Sequence, residues 1–164
     1  MYIVPHNPQW KNIYKAESEK ILRSVDIDIK LIHIGSTAID GLYSKDCIDI
    51  LGVIDHVELA RKLVIPLEDL GYLYKGEYGI QNRHYFSKAL NPKVHLHICP
   101  LGHEQIERHL HFVNIMKSSE GLVKELNEVK AKLANNSSKE VYQLQKKSYY
   151  EKILAIEIKQ GTKR

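Results

Sequence analysis

Hydrophobic positions change their spacing several times along the chain. In residues 8–25 they recur at Trp10, Ile13, Tyr14, Ile21, Leu22 and Val25, the three-to-four repeat of one helix face. Asn7 followed by Pro8 is a start signal, because Asn caps a helix and Pro fits its first turn. Lys11, Lys15, Glu19 and Lys20 supply the polar face. Residues 27–34 then become rich in β-branched side chains and predict a strand, ended by Gly35, Ser36 and Thr37. A polar, glycine-containing loop follows to Asp46. Residues 47–53 form an apolar run with one embedded charge, Asp49, and read as a buried strand. Residues 56–70 return to helical spacing, with Pro66 expected to break or restart the helix and Gly71 to end it. Residues 72–78, 83–90 and 93–99 predict three more strands, the last two joined by a turn at Asn91 and Pro92. After Gly102 strand signals stop. Residues 103–117, 120–134 and 138–160 read as helices, the last capped by Ser138 and apolar at Val141, Leu144, Tyr149, Ile153 and Ile156.

Strands thus cluster in the first hundred residues and helices follow. The pattern predicts one α+β domain over residues 1–164, with a mixed β-sheet flanked by helices and a C-terminal helical layer. Neither an internal repeat nor a low-complexity segment interrupts it.

Composition changes this picture in three places. A 43% apolar content in 164 residues supports a packed core and excludes wholesale disorder. The net charge of +4 belongs to the C-terminal stretch, where ten basic residues face five acidic ones after residue 120, so a nucleic-acid-binding coat is not indicated. The basic helices read instead as solvated faces. Apolar runs all fall short of the roughly 20 residues that cross a bilayer. The first nine residues carry two prolines and no apolar stretch of the signal-peptide kind. Two cysteines, Cys47 and Cys99, are too few for a disulfide framework and read as small buried hydrophobes. A cytoplasmic protein without membrane contact is expected.

The remaining oddity is nine histidines. His95 and His97 lie two apart on a predicted strand and so point the same way. If that face meets Asp49 across the sheet, two imidazoles and a carboxylate converge, a set suited to a divalent transition metal or to acid–base work near neutral pH. His33 is a further candidate because its strand ends at the Gly35–Ser36 turn. His109 and His111 do not share a helical face and are not expected to form a metal pair. Gly35, Ser36 and Thr37 at a strand end bring backbone and hydroxyl groups close enough to hold a phosphate. Arg83, with its planar fork, and Lys45 could offset phosphate charge.

The string HIGSTAIDGLYSKDCIDIL, residues 33–51, resembles the signature of the GrpB-like family. The resemblance continues through Leu70, Gly71 and Tyr72, through Arg83 to Phe86, through His95 to His97, around Arg108 to Phe112 and into the helical tail. It implies a fold similar to nucleotidyltransferases of the DNA polymerase beta type. In that superfamily a Gly-Ser pair precedes two acidic residues one position apart on the next strand. A third acid lies on a later strand, and the acids hold two metal ions.

Gly35, Ser36 and Asp49 match this pattern. Cys47 stands at the first acidic position, Asp46 is one residue out of phase, and His95 and His97 occupy the later strand. Val113 and Asn114 replace the family's Arg-Asp pair. The resemblance therefore implies a nucleotidyltransferase-like protein that binds a nucleotide or phosphorylated small molecule with a divalent metal. That metal is magnesium or manganese, or zinc or iron where Asp49, His95 and His97 ligate. The alternatives are a non-catalytic ligand-binding module on the same fold, and a His/Asp metal site with other chemistry.

Overall fold

The structure, a computed structural model, describes the backbone of residues 3–161 and the side chains up to residue 155. Ile156, expected on the apolar face of the last helix, lies outside the described side chains. The first helix, α1, spans Gln9–Ser24. Asn7 caps it as expected: its Oδ1 accepts from the Gln9 N–H at 2.9 Å. Trp10 and Ile21 are fully buried, whereas Leu22 is turned to solvent.

Five strands follow: β1 Lys30–Ile34, β2 Cys47–Ile54, β3 Leu73–Tyr74, β4 His84–Lys88 and β5 Lys93–Pro100. They form one mixed sheet in the order β1-β2-β5-β4-β3. Only the central β2–β5 pair is parallel. The crossover between β2 and β5 carries α2, Arg61–Asp69, on the α1 side. Helices α3 (Glu104–Lys117), α4 (Glu120–Asn136) and α5 (Lys139–Gly161) form the C-terminal layer.

Strand alternation divides the core in two. Ile48, Ile50, Leu96 and Ile98 pack with Trp10, Ile21, Leu63 and Leu67 under α1 and α2. Ile34, Leu51 and Cys99 pack with Phe112, Met116, Leu126 and Ile153 under α3–α5.

Four local expectations change. The strand expected over residues 72–78 shrinks to two residues, because Gly76, Tyr78, Gly79 and Asn82 all take positive φ and turn the chain away from the sheet. Helix α2 runs through Pro66; proline cannot donate back to the carbonyl of Lys62, and Lys62 lies on an exposed turn. The interruption falls earlier, in the 3₁₀ turn Val57–Ala60. Sheet pairing of β1 begins at Lys30, while Ile27 and Ile29 pack onto the core from the preceding loop. In α5 the inward stripe runs through Tyr142 and Ile153, and Val141 and Leu144 face out. Ser138 does cap this helix, accepting from the Val141 N–H at 3.3 Å.

Candidate functional site

The C-terminal layer leaves a pocket of about 440 Å³ against β1, β2 and β5. Its floor is set by register. Ile34 pairs with Asp49 on β1–β2, and Asp49 pairs with His95 on β2–β5. Cys47 and Asp49 are two apart on β2, so both point to this face, as do His95 and His97 on β5.

The Asp49 carboxylate sits at the centre. Its Oδ1 accepts from His97 Nε2 at 3.1 Å and lies 3.5 Å from His95 Nδ1. Burial alone would raise the Asp49 pKa, but hydrogen bonds and charge from His95 and His97 outweigh it and hold the carboxyl well below its usual range. Cys47 Sγ lies 3.4 Å from His95 Nδ1. Burial, then the Asp49 charge, pushes the Cys47 thiol up to about 12, so the sulfur is a neutral thiol unless a cation displaces its proton.

Gly35 stands directly over this carboxylate. Its φ is +72°, and a Cβ there would lie 2.9 Å from Asp49 Oδ2. Glycine is thus demanded twice, by backbone conformation and by the close approach of β2.

Ser36 opens the 3₁₀ turn Ser36–Ala38 and is buried at the pocket wall. Its Oγ accepts from Lys130 Nζ at 2.8 Å and shares a 3.2 Å hydrogen bond with the Tyr150 hydroxyl. Lys130 is 2% exposed. It also donates to the Tyr43 carbonyl at 2.7 Å. Burial, then the charge of Lys146, lowers its pKa well below the usual lysine value. Its described partners are neutral oxygens. Lys146 lies 5.5 Å from the Tyr150 ring centroid. Burial lowers its pKa, but the charges of Tyr150, Tyr142, Asp49 and Cys47 together outweigh this and raise it. Lys45 borders the same pocket, its pKa lowered by burial and by Lys146. Arg108 pairs with Glu151 at the rim. Half-buried His109, beside His97, is pushed down to about 4 by its partial burial.

The structure therefore brings Gly35, Ser36, Lys45, Asp49, His95 and His97 together. It places three other candidates elsewhere. His33 pairs with Ile50 and so faces the α1 side, where its Nε2 bonds Thr37 Oγ1 at 2.9 Å and its ring stacks on Tyr14. Thr37 is held by that bond and does not line the pocket. Arg83 is buried and donates to the carbonyls of Glu77 and Tyr78, fastening the turn-rich segment before β4. Its guanidinium is spent on backbone. Asp46 is out of phase as expected and accepts from Trp10 Nε1 at 2.6 Å.

Lys130, Lys146 and Tyr150 are the residues that the sequence reading missed. Their signal is helical phase: Leu126, Lys130 and Leu133 fall at i, i+4 and i+7 on the buried face of α4, and Tyr142, Lys146, Tyr150 and Ile153 fall at i, i+4, i+8 and i+11 on the inward stripe of α5. Cys47, read as a plain hydrophobe, borders the pocket beside His95 instead.

The fold is that of nucleotidyltransferases. Cid1 poly(U) polymerase bound to MgATP superposes with a TM-score of 0.55 at 14% identity, over 78% of this chain and 42% of that one. A family model described as GrpB protein matches residues 1–155, and the chain belongs to that family. The crystal structure of GrpB from Enterococcus faecalis matches with a TM-score of 0.88 at 27% identity, covering 99% of this chain and 100% of the other. Among curated relatives, UPF0157 protein YqkA of Bacillus subtilis is 33% identical over 80% of this chain and 39% of its own length. UPF0157 protein PA4798 of Pseudomonas aeruginosa is 34% identical over 67% of this chain and 47% of its own. The chain thus spans under half the length of these two relatives.

A pair of magnesium or manganese ions, which the superfamily pattern implies, requires a cluster of oxygen ligands. Here Asp49 is the one carboxylate at the described strand positions where that pattern puts acids, and a thiol and an imidazole occupy the other two. These residues do not fit such a pair. Among the described residues no helix is long and apolar enough to cross a membrane.

Proposed function

We propose that the pocket binds a nucleotide or another phosphorylated ligand, with its phosphates held at Gly35 and Ser36 between Lys130, Lys146 and Lys45. The observation that carries this reading is Lys130. A lysine buried to 2% exposure against neutral oxygens is costly to keep, and it stands where an anion would reach both Nζ and Ser36 Oγ. Gly35 supports the reading by letting a ligand and the backbone approach closely. The lining carries five lysine or arginine side chains, Arg108 already paired with Glu151, against the two carboxylates Asp49 and Glu151. The surplus is cationic. His95 and His97 flank Asp49 and are placed for acid–base work on a bound ligand. Both cysteines are free, which suits a reducing cytoplasm.

The missing acids at positions 47 and 95 favour a second reading, binding without nucleotidyl transfer. Calorimetry with ATP, UTP and inorganic tripolyphosphate tests the first. Binding weakened about tenfold or more by Ser36→Ala and by Lys130→Met is expected, since charge-assisted hydrogen bonds contribute roughly 1.5–3 kcal/mol. Absence of binding to all three, or equal affinity in the variants, would overturn it. Pyrophosphate release lost in Asp49→Ala would overturn the second reading.

A further inference from the structure

The three side chains that displace the expected carboxylate triad do not diverge. Cys47, Asp49 and His95 present Sγ, a carboxylate oxygen and Nδ1 within 4.8 Å of one another, all at the pocket floor. Two of the separations are measured directly: 3.4 Å from sulfur to Nδ1 and 3.5 Å from Nδ1 to Oδ1.

These distances carry information about what could sit between them. A tetrahedral zinc ion has bonds of about 2.3 Å to sulfur and about 2.0–2.1 Å to nitrogen or oxygen. The corresponding tetrahedral edges are about 3.6 Å for sulfur to nitrogen and about 3.3–3.4 Å for nitrogen to oxygen. The two edges through His95 Nδ1 are already spaced to that pattern. Strand geometry fixes it: Cys47 and Asp49 alternate onto one face of β2, and parallel register sets His95 beside Asp49.

We propose that Cys47, Asp49 and His95 form a three-donor site for a single zinc-class transition-metal ion, in place of a pair of magnesium ions. Thiolate and imidazole select such a metal, while magnesium avoids both. Three protein donors leave one tetrahedral position for a small ligand, as zinc sites that take substrate do. His97 is the supporting residue. Its Nε2–H donates to Asp49 Oδ1 and orients the carboxylate, the outer-shell arrangement that tunes metal ligands. This proposal stands apart from the phosphate reading, which needs Ser36 and Lys130 and no metal.

The test uses untagged full-length protein, stripped with a chelator and titrated with cobalt(II) as the spectroscopic probe, without nucleotide. One equivalent is expected to bind, with the intense visible bands of a tetrahedral site and a near-ultraviolet thiolate charge-transfer band, and zinc is expected to displace it. Cys47→Ser should lose the charge-transfer band. His95→Ala should weaken binding at least a hundredfold. His97→Ala should keep the band with affinity reduced about 10–100-fold. Near-wild-type circular dichroism shows that each variant is folded.

Should Cys47→Ser fail to fold, zinc-edge X-ray absorption on the wild type decides by the presence of one sulfur scatterer. No cobalt binding, an octahedral spectrum, a spectrum unchanged in Cys47→Ser, or zinc bound by nitrogen and oxygen alone would each overturn the proposal. Tripolyphosphate binding to the stripped protein reports separately on the phosphate reading.

Discussion

The two faces of the sheet treat buried charge in opposite ways. On the α1–α2 face, Glu17 is 4% exposed. It accepts from Lys88 Nζ at 2.8 Å and from the Tyr72 hydroxyl at 2.7 Å. Burial, then the hydrogen bond to Glu17, raises the Tyr72 pKa strongly and keeps the phenol a donor. Acid, base and hydroxyl close on themselves. On the α3–α5 face Lys130 is equally buried, yet among the described residues its amine hydrogen-bonds only the Ser36 hydroxyl and the Tyr43 carbonyl. The first arrangement is complete as it stands. The second leaves a positive charge that an incoming anion would balance. Burial of charge alone therefore does not mark a site; burial without a counter-charge, beside a pocket, does.

The largest effect that tests this contrast lies on the closed face. Glu17→Ala leaves Lys88 and Tyr72 without their acceptor. A loss of about 3–5 kcal/mol in urea unfolding is expected, the size typical of a broken buried pair, while tripolyphosphate affinity per folded molecule stays unchanged. A loss under about 1 kcal/mol would show that solvent already reaches this network.

Gly35→Ala comes next and acts where the faces meet. The added methyl group meets both a φ of +72° and the Asp49 carboxylate at 2.9 Å. A loss of about 2–3 kcal/mol is expected from backbone strain and displacement of β2. The same change moves Asp49 and Ser36 apart, so ligand affinity falls with stability. Unchanged unfolding would mean that Gly35 serves only as a turn.

Much of this was legible in the sequence, for identifiable reasons. Asp49 stood out because a charge inside an apolar strand needs a partner, and its neighbours on β5 were visible from strand alternation. All three C-terminal helices were legible from their period and from Ser138. Lys130 and Lys146 were not, because lysines on basic helices ordinarily face solvent; their phase with Leu126, Leu133, Tyr142 and Ile153 was the overlooked clue. Arg83 misled in the other direction. Its role depends on four positive-φ residues that wrap the preceding segment around it, and tertiary wrapping of that kind leaves no periodic trace. His33 failed through register: its neighbour Ile34, not His33 itself, pairs with Asp49.

Lys130→Met inverts the usual sign of a core substitution. Removing an uncompensated buried amine should stabilise the ligand-free protein by about 1–2 kcal/mol, after the loss of two hydrogen bonds is discounted. The same variant should bind tripolyphosphate at least tenfold more weakly. Because burial lowers the folded-state pKa, between that lowered value and 10.5 the unfolded chain binds a proton that folded Lys130 does not. The advantage of the variant should therefore shrink as pH rises towards 10.5, the ordinary lysine value. A destabilised variant with intact binding would remove the distinction between the two faces.

The smallest effect comes from histidines placed one on each face. Burial is the main cause that pushes both His33 and His109 down to about 4 from the ordinary 6.5. Between these values the unfolded chain binds protons that the folded protein refuses. Their contribution is therefore fully present above about 6.5 and is lost as pH falls towards 4. Urea unfolding at pH 7 and pH 5 should show a loss of about 1–2 kcal/mol relieved by His33→Gln, and a similar loss relieved by His109→Gln. Only one of the two should respond to a ligand. His109 borders the pocket, so bound tripolyphosphate should favour its protonated form and reduce its share of the acid loss. His33, bonded to Thr37 on the far face, should be indifferent to it. If tripolyphosphate changes both contributions equally, the ligand acts on the whole fold and the pocket face has no special claim to it.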